Sequence, residues 1–169
     1  MAYSKSTESI SYDEALRFAM RICARQEMYK KYIRDKLVLR KANPEDIEKV
    51  IDELEKNKFI DEYRYTRAFV NDKLKLSRWG LSRIKSALFQ KGIPQFIVNE
   101  ICRGLETKEL YENGLYLAQK KLKTVKKDKP LTKQRKVYNF LAYRGYDAGM
   151  IWKIIKDLKI SVQENSDND

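Results

Sequence analysis

One apolar pattern occurs three times in this chain and restricts its fold more than any other feature. Ile47, Val50, Ile51 and Leu54 fall at i, i+3, i+4 and i+7. Val98, Ile101, Cys102 and Leu105 repeat the spacing, and so do Ile151, Ile154, Ile155 and Leu158. This is the period of one buried helical face. Each stripe follows a partner helix, marked by Ile33 and Leu37, then Ile84 and Leu88, then Val137 and Leu141. A turn separates the two helices in each copy: Lys41-Ala42-Asn43-Pro44, Gly92-Ile93-Pro94 and Gly145-Tyr146-Asp147. Matched positions lie 51 and then 53 residues apart (47 to 98, 98 to 151), close to the periods that mark helical arrays. One such stripe arises often by chance; three in register, each with its partner and turn, do not. The pattern predicts an all-α chain of three tandem three-helix repeats.

The middle copy has the clearest punctuation. Phe59-Ile60 precede Asp61-Glu62, and carboxylates favour a helix N-terminus. The next helix is expected to carry Tyr65, Ala68, Phe69 and Leu76 at near-helical spacing, until Trp79-Gly80 breaks it. A second helix carries Leu81, Ile84 and Leu88 and stops at Gly92, read as a left-handed cap. Pro94 is suited to the first position of a third.

Residues 1–10 are polar and expected to be disordered. The repeats are then placed at 11–58, 59–106 and 107–160, with a disordered acidic tail at 161–169. Ser11 and Glu14 have capping-box spacing, which predicts a helix from about Tyr12 to Ala24. Further helices are expected from Met28 to Arg40 and from Pro44, after an Asn43 cap, to Asn57. A long one starts near Thr107, and two more are capped by Thr132 and Asp147.

The formal net charge is +12 and the pI about 9.6. A balance this basic points to polyanions such as nucleic acid, a nucleoprotein or an acidic protein face; the plain alternative is solvated lysine. The charge is uneven: about +2 over 11–58, about +4 over 59–106 and about +9 over 107–160. The first repeat, nearly balanced, is free for a different job, such as touching protein. No apolar run is long enough for a transmembrane helix, and the first residues lack a signal-peptide core. A cytosolic protein is expected.

Catalysis finds little support. The chain has no histidine, the commonest general base and metal ligand. Cys23 and Cys102 lie in separate repeats on apolar stripes and read as core residues, not as a disulfide or zinc pair. There is no Gly-rich phosphate loop. Asp61-Glu62 suit a helix N-terminus better than Mg²⁺, and Glu45, Asp46 and Glu48 are read the same way. No enzyme, metal or cofactor is expected.

Binding is better supported. Lys73, Lys75, Arg78, Arg83, Lys85 and Lys91 surround Trp79 in sequence. Lys120, Lys121, Lys123, Lys126, Lys127, Lys129, Lys133, Arg135 and Lys136 form the densest basic run. Such side chains neutralise phosphates and release counterions; the rival reading of the run is a solvated helix end. Trp79, Tyr63 and Tyr143 are either base-stacking rings or, for Trp79 above all, a packing anchor. Arg64 follows two acidic residues at a helix start, against the dipole preference, so it should meet a specific carboxylate or a protein partner.

Several of these residues also resemble a known signature. Phe59-Ile60-Asp61-Glu62, Arg64-Tyr65-Thr66, Phe69-Val70, Trp79-Gly80, Arg83-Ile84, Leu88 and Lys91-Gly92-Ile93 are similar to the RecX family of bacterial regulators of the RecA recombinase. Arg135-Lys136, Leu141 and Arg144-Gly145-Tyr146 resemble its final repeat, which adds Arg144 to the candidate binding residues. The resemblance covers roughly 12–158. It implies an elongated, curved array of three three-helix repeats lying along the RecA filament groove on DNA and inhibiting ATP hydrolysis and strand exchange, within DNA repair and the SOS response. It brings no catalytic residue. The first repeat departs from it: Arg25-Gln26-Glu27-Met28-Tyr29 replaces the usual Arg-Glu-His-Ser-like stretch, and Lys41 stands where the other repeats have glycine.

The resulting expectation is a monomeric regulator of homologous recombination that binds the RecA–DNA filament. Two rivals are a basic helical DNA-binding module with no recombinase partner and a helical-repeat adaptor for an acidic protein.

Overall fold

The structure is a computed structural model that describes residues 9–105 and 107–160. The expected disordered N-terminus lies almost wholly, and the acidic tail entirely, outside the described residues. Among the described residues there are nine helices and no strand. They are α1 (Tyr12–Cys23), α2 (Lys30–Leu39), α3 (Pro44–Lys56), α4 (Glu62–Lys75), α5 (Leu81–Gln90), α6 (Gln95–Arg103), α7 (Thr107–Thr124), α8 (Pro130–Arg144) and α9 (Ala148–Asp157). The chain is an all-α helical repeat, as the stripes predict.

Local chemistry sets most helix starts. Ser11 and Glu14 form the expected capping box, in which the Glu14 carboxylate accepts from the Ser11 amide at 2.9 Å. Asn43 accepts from the Glu45 amide ahead of Pro44 at N1. Asp61 accepts from the Arg64 amide at 2.9 Å, so it acts as the helix-start group its position suggested. Asp147 accepts from the Met150 amide. Two starts differ from expectation. Thr132 does not cap α8: Pro130, whose ring fixes φ, sets the first turn, Lys129 is the cap and Thr132 lies inside the helix. Pro94 stands one residue before α6 and accepts from Ile97 and Val98.

The same turn closes the middle helix of each triplet. The amides of Ala42, Ile93 and Tyr146 each reach back to a carbonyl five residues earlier, on Leu37, Leu88 and Leu141. The residues ahead of them, Lys41, Gly92 and Gly145, all have positive φ, at 59°, 74° and 91°. This is the Schellman arrangement, in which the apolar residue after the turn covers the last helical turn. Ala42, Ile93 and Tyr146 are buried accordingly.

The chain forms two compact units. Among the described residues, unit 1 holds 9–68 together with Leu88–Val98; unit 2 holds Phe69–Ala87 and the described residues from Asn99 to Ile160. In unit 1, α1, α2 and α3 bury Ala15, Ala19, Ile33, Leu37, Ile47, Val50, Ile51 and Leu54 against one another. In unit 2, α7, α8 and α9 do the same with Leu117, Ala118, Val137, Leu141, Ile151, Ile154 and Ile155. A tyrosine–carboxylate bond ties the outer helices of each: Tyr12 donates to Glu53, and Tyr111 to Asp157 at 2.6 Å.

The predicted stripes are buried with four exceptions. Leu81, Ile101, Leu105 and Leu158 are half-buried, and Ile97 is buried on α6 as well. In α4 the face differs more. Thr66, Val70 and Leu74 are its buried line, whereas Ala68 and Leu76 are exposed and Tyr65 and Phe69 half-buried. Thr66, which a polarity pattern counts as outside, begins that line and leaves its hydroxyl without a hydrogen bond.

Candidate functional site

The candidate site lies in unit 2, where the α4–α5 turn docks on the α8–α9 turn by main chain. The Gly80 amide donates to the Arg144 carbonyl at 2.7 Å, and the Ser82 amide to the Gly145 carbonyl at 3.0 Å. The Arg144 guanidinium donates to the Ser77 carbonyl at 3.0 Å, and the Tyr146 hydroxyl to the Arg78 carbonyl at 3.1 Å. Burial pushes the Tyr146 phenol up to about 12, so it stays a donor. Gly80 and Gly145 are required here. A Cβ on Gly80 would fall 2.2 Å from the Gly145 carbonyl carbon, and one on Gly145 2.4 Å from the Arg83 Cβ.

This docking interleaves cations and rings. Lys73 lies 5.3 Å from the Phe69 ring and 5.2 Å from the Trp79 ring. Arg83 lies 4.2 Å from the Trp79 ring and 4.9 Å from the Tyr143 ring. Phe69, Lys73, Trp79, Arg83 and Tyr143 therefore form one continuous series. A second series places Tyr116 between Arg78 at 4.2 Å and Lys120 at 4.8 Å. A third places Phe140 between Arg144 and Lys121. Such contacts hold a cation against a ring face by attraction to the ring quadrupole.

The three candidate rings take different roles. Trp79 is half-buried and flanked by two cations, the packing anchor that its sequence reading favoured. Tyr143 is 74% exposed and is the most open ring of the series. Tyr63 lies in unit 1, edge-on to Phe96.

The other candidates divide clearly. Lys75, Lys123, Lys126, Lys127, Lys129 and Arg135 are exposed. Lys126 and Lys133 line a cavity of about 320 Å³ with Leu122, Pro130 and Ile160. Lys85 is half-buried beside Cys102. Lys136 is ion-paired with Asp128 at 2.8 Å. Lys120, Lys121, Lys123, Lys126, Lys127, Lys133 and Arg135 make no ion pair with any described carboxylate.

Two candidates belong to unit 1 and have structural work there. Arg64 pairs with Glu27 and donates to the Lys58 carbonyl, so the specific partner its position called for is an internal carboxylate. Lys91 sits 4.5 Å over the Tyr29 ring and donates to its hydroxyl.

Sequence reasoning missed Tyr116, Phe140 and Phe69 as ring partners, because nothing in the spacing joins α4, α7 and α8. It also missed Arg17 and Arg21, whose four-residue spacing places them on one face of α1, and Arg25 in the turn that follows it.

No cluster of three or more potential metal-ligating side chains occurs among the described residues, and no described helix is long and apolar enough to cross a membrane. Burial pushes both cysteine thiols up, Cys102 from a buried position.

Residues 61–100 match the family model for the RecX second three-helix domain, and 108–155 that for the RecX third three-helix domain. A regulatory protein RecX from Chlorobium phaeobacteroides is 31% identical over 138 residues, 82% of this chain and 89% of its own length. The chain belongs to the RecX family. A RecX relative from Clostridium botulinum strain Alaska E43, also termed a regulatory protein, is 36% identical over 129 residues, 75% of this chain but 60% of its own length. The match thus spans less than two thirds of that relative. The crystal structure of RecX from Lactobacillus salivarius superposes with a TM-score of 0.81 at 25% identity, over 89% of this chain and 97% of that one. Both RecX domain matches fall on the triplets that supply the cation–ring series.

Proposed function

We propose that this RecX chain is a non-catalytic, cytoplasmic regulator of homologous recombination that binds the RecA–DNA filament and inhibits its ATPase and strand exchange. The observation that carries the polyanion part is the set of cations on α7 and the α7–α8 connection without carboxylate partners. Lys120, Lys123, Lys126 and Lys127 among them are exposed and meet phosphates at little desolvation cost. The recombinase as partner rests on family membership. Lys73, Arg78, Arg83 and Arg144 would be held in place by rings and main-chain carbonyls, so little side-chain freedom is lost on docking. Inhibition then requires higher affinity for one filament state than another. The filament supplies the ATPase; this chain supplies neither cofactor nor metal, and acts as a monomer.

A second reading, DNA binding without recombinase, is favoured by the lysine density of 120–136. Co-sedimentation separates the two. The chain should pellet with RecA–single-stranded DNA filaments at concentrations at which it does not bind the same DNA alone. Replacing Lys123, Lys126, Lys127 and Lys133 by alanine should weaken both, and lower the log–log salt slope by about 0.7 per lost single-strand phosphate contact. Equal affinity for naked DNA and filament would favour the second reading.

A further inference from the structure

Unit 1 contains a basic groove that none of the residues above explains. A cavity of about 520 Å³ is lined by Ile10, Glu14, Arg17, Phe18, Met20, Arg21 and Arg40. A second, of about 380 Å³, is lined by Phe18, Arg21, Ile22, Arg25, Gln26, Met28, Tyr32 and Arg40. The two share Phe18, Arg21 and Arg40, so they form one groove along α1. Its four guanidiniums make no ion pair with a described carboxylate. The acid in the lining, Glu14, is bound by the Ser11 amide and hydroxyl, each at 2.9 Å. Arg40 is already placed, 4.1 Å over the Phe18 ring.

We infer that this groove docks an acidic peptide segment of a partner protein, one in which Asp or Glu alternates with aliphatic side chains. Three features choose this occupant. The four arginines outnumber the single carboxylate of the lining, Glu14, so an anionic ligand completes the charge. The lining holds arginine and no lysine, in a chain whose other basic run is lysine-rich. The planar guanidinium fork matches a carboxylate in a bidentate way that an ammonium does not. The floor, made by Ile10, Phe18, Ile22 and Met28, is apolar and suits aliphatic side chains better than a phosphodiester backbone. The twelve residues of α1 give a groove about 18 Å long, which accommodates about five extended residues.

The test uses the full chain and a short fluorescein-labelled peptide alternating Glu and Leu, read by anisotropy. Saturable binding is expected, weakened about tenfold in Arg21→Gln/Arg25→Gln with an unchanged melting temperature. Alanine replacement of Lys123, Lys126, Lys127 and Lys133 should leave it unchanged, which separates this groove from the unit 2 surface. No saturation, or wild-type affinity in the double glutamine variant, overturns the proposal. So does displacement of the peptide by oligo-dT with the same arginine dependence, which would make the groove a nucleic-acid site. A chain lacking residues 161–169 should bind the peptide as the full chain does. Several-fold tighter binding would instead assign the groove to the chain's own acidic tail.

Discussion

Gly80 approaches Gly145 so closely that a Cβ atom on it would lie 2.2 Å from the Gly145 carbonyl carbon. The atoms in the way are main chain, so they cannot rotate aside. Gly80→Ala must therefore push apart two turns joined by the bonds from Gly80 to Arg144 and from Ser82 to Gly145. We expect a loss of about 3 kcal/mol, at the upper end for a single substitution, measured by urea unfolding. A loss below about 0.5 kcal/mol would mean the turns are not in contact.

Lys41 occupies a position at which the other two turns have glycine, and it does so at φ 59°. A side chain there costs about 1 kcal/mol. Lys41→Gly should recover most of this, offset partly by greater freedom of the unfolded chain. The melting temperature should rise by about 2–3 °C, and an unchanged or lower value would contradict the turn geometry.

Two tyrosines give the fold an alkaline limit. Tyr12 is held protonated by its hydrogen bond to Glu53, and Tyr146 by burial, each with a pKa pushed up to about 12. Their folded values exceed the unfolded value of about 10. The associated stability is therefore fully present below about pH 10 and is lost as pH rises from there through about 12. The melting temperature should fall across that window, and should fall less steeply in Tyr12→Phe, whose aromatic ring cannot ionise. Parallel pH profiles for the two proteins would remove the Tyr12 contribution.

Tyr143 and Trp79 separate stacking from packing. Tyr143→Ala removes a ring that is 74% exposed, so it should leave stability nearly unchanged. It should weaken single-stranded DNA binding by about 1–3 kcal/mol if the ring stacks on a base. Trp79→Ala removes the ring between Lys73 and Arg83, so it should cost stability as well as affinity. Melting curves beside anisotropy titrations distinguish the outcomes; the reverse ranking would restore Trp79 as the platform.

The repeat was legible because burial on one helical face leaves a periodic trace, and Ile47, Val50, Ile51 and Leu54 carry it without interruption. The caps at Ser11, Asn43 and Asp147 were legible because their chemistry is local. The buried face of α4 was hidden: Thr66 reads as polar, while Leu76 reads as core yet is 76% exposed. The left-handed turn at Lys41 was hidden by its side chain, although the matching Gly92 and Gly145 betray its position. At the site, the cations were visible in the sequence as a class. Trp79 and Tyr143 were visible as rings, but their pairing, and Tyr116, Phe69 and Phe140, were not, because Arg78 meets Tyr116, and Arg83 meets Tyr143, across long stretches of chain. Arg64 was singled out correctly as needing a specific partner, and that partner is Glu27.

The most direct test of the central claim is the DNA-dependent ATPase rate of the cognate RecA as this chain is added, with binding to the same naked single-stranded DNA titrated in parallel at several salt concentrations. The filament reading predicts a fall in rate at concentrations too low to occupy the free DNA. An unchanged rate, or a fall that only follows DNA coverage, would contradict it and leave a basic helical DNA-binding protein.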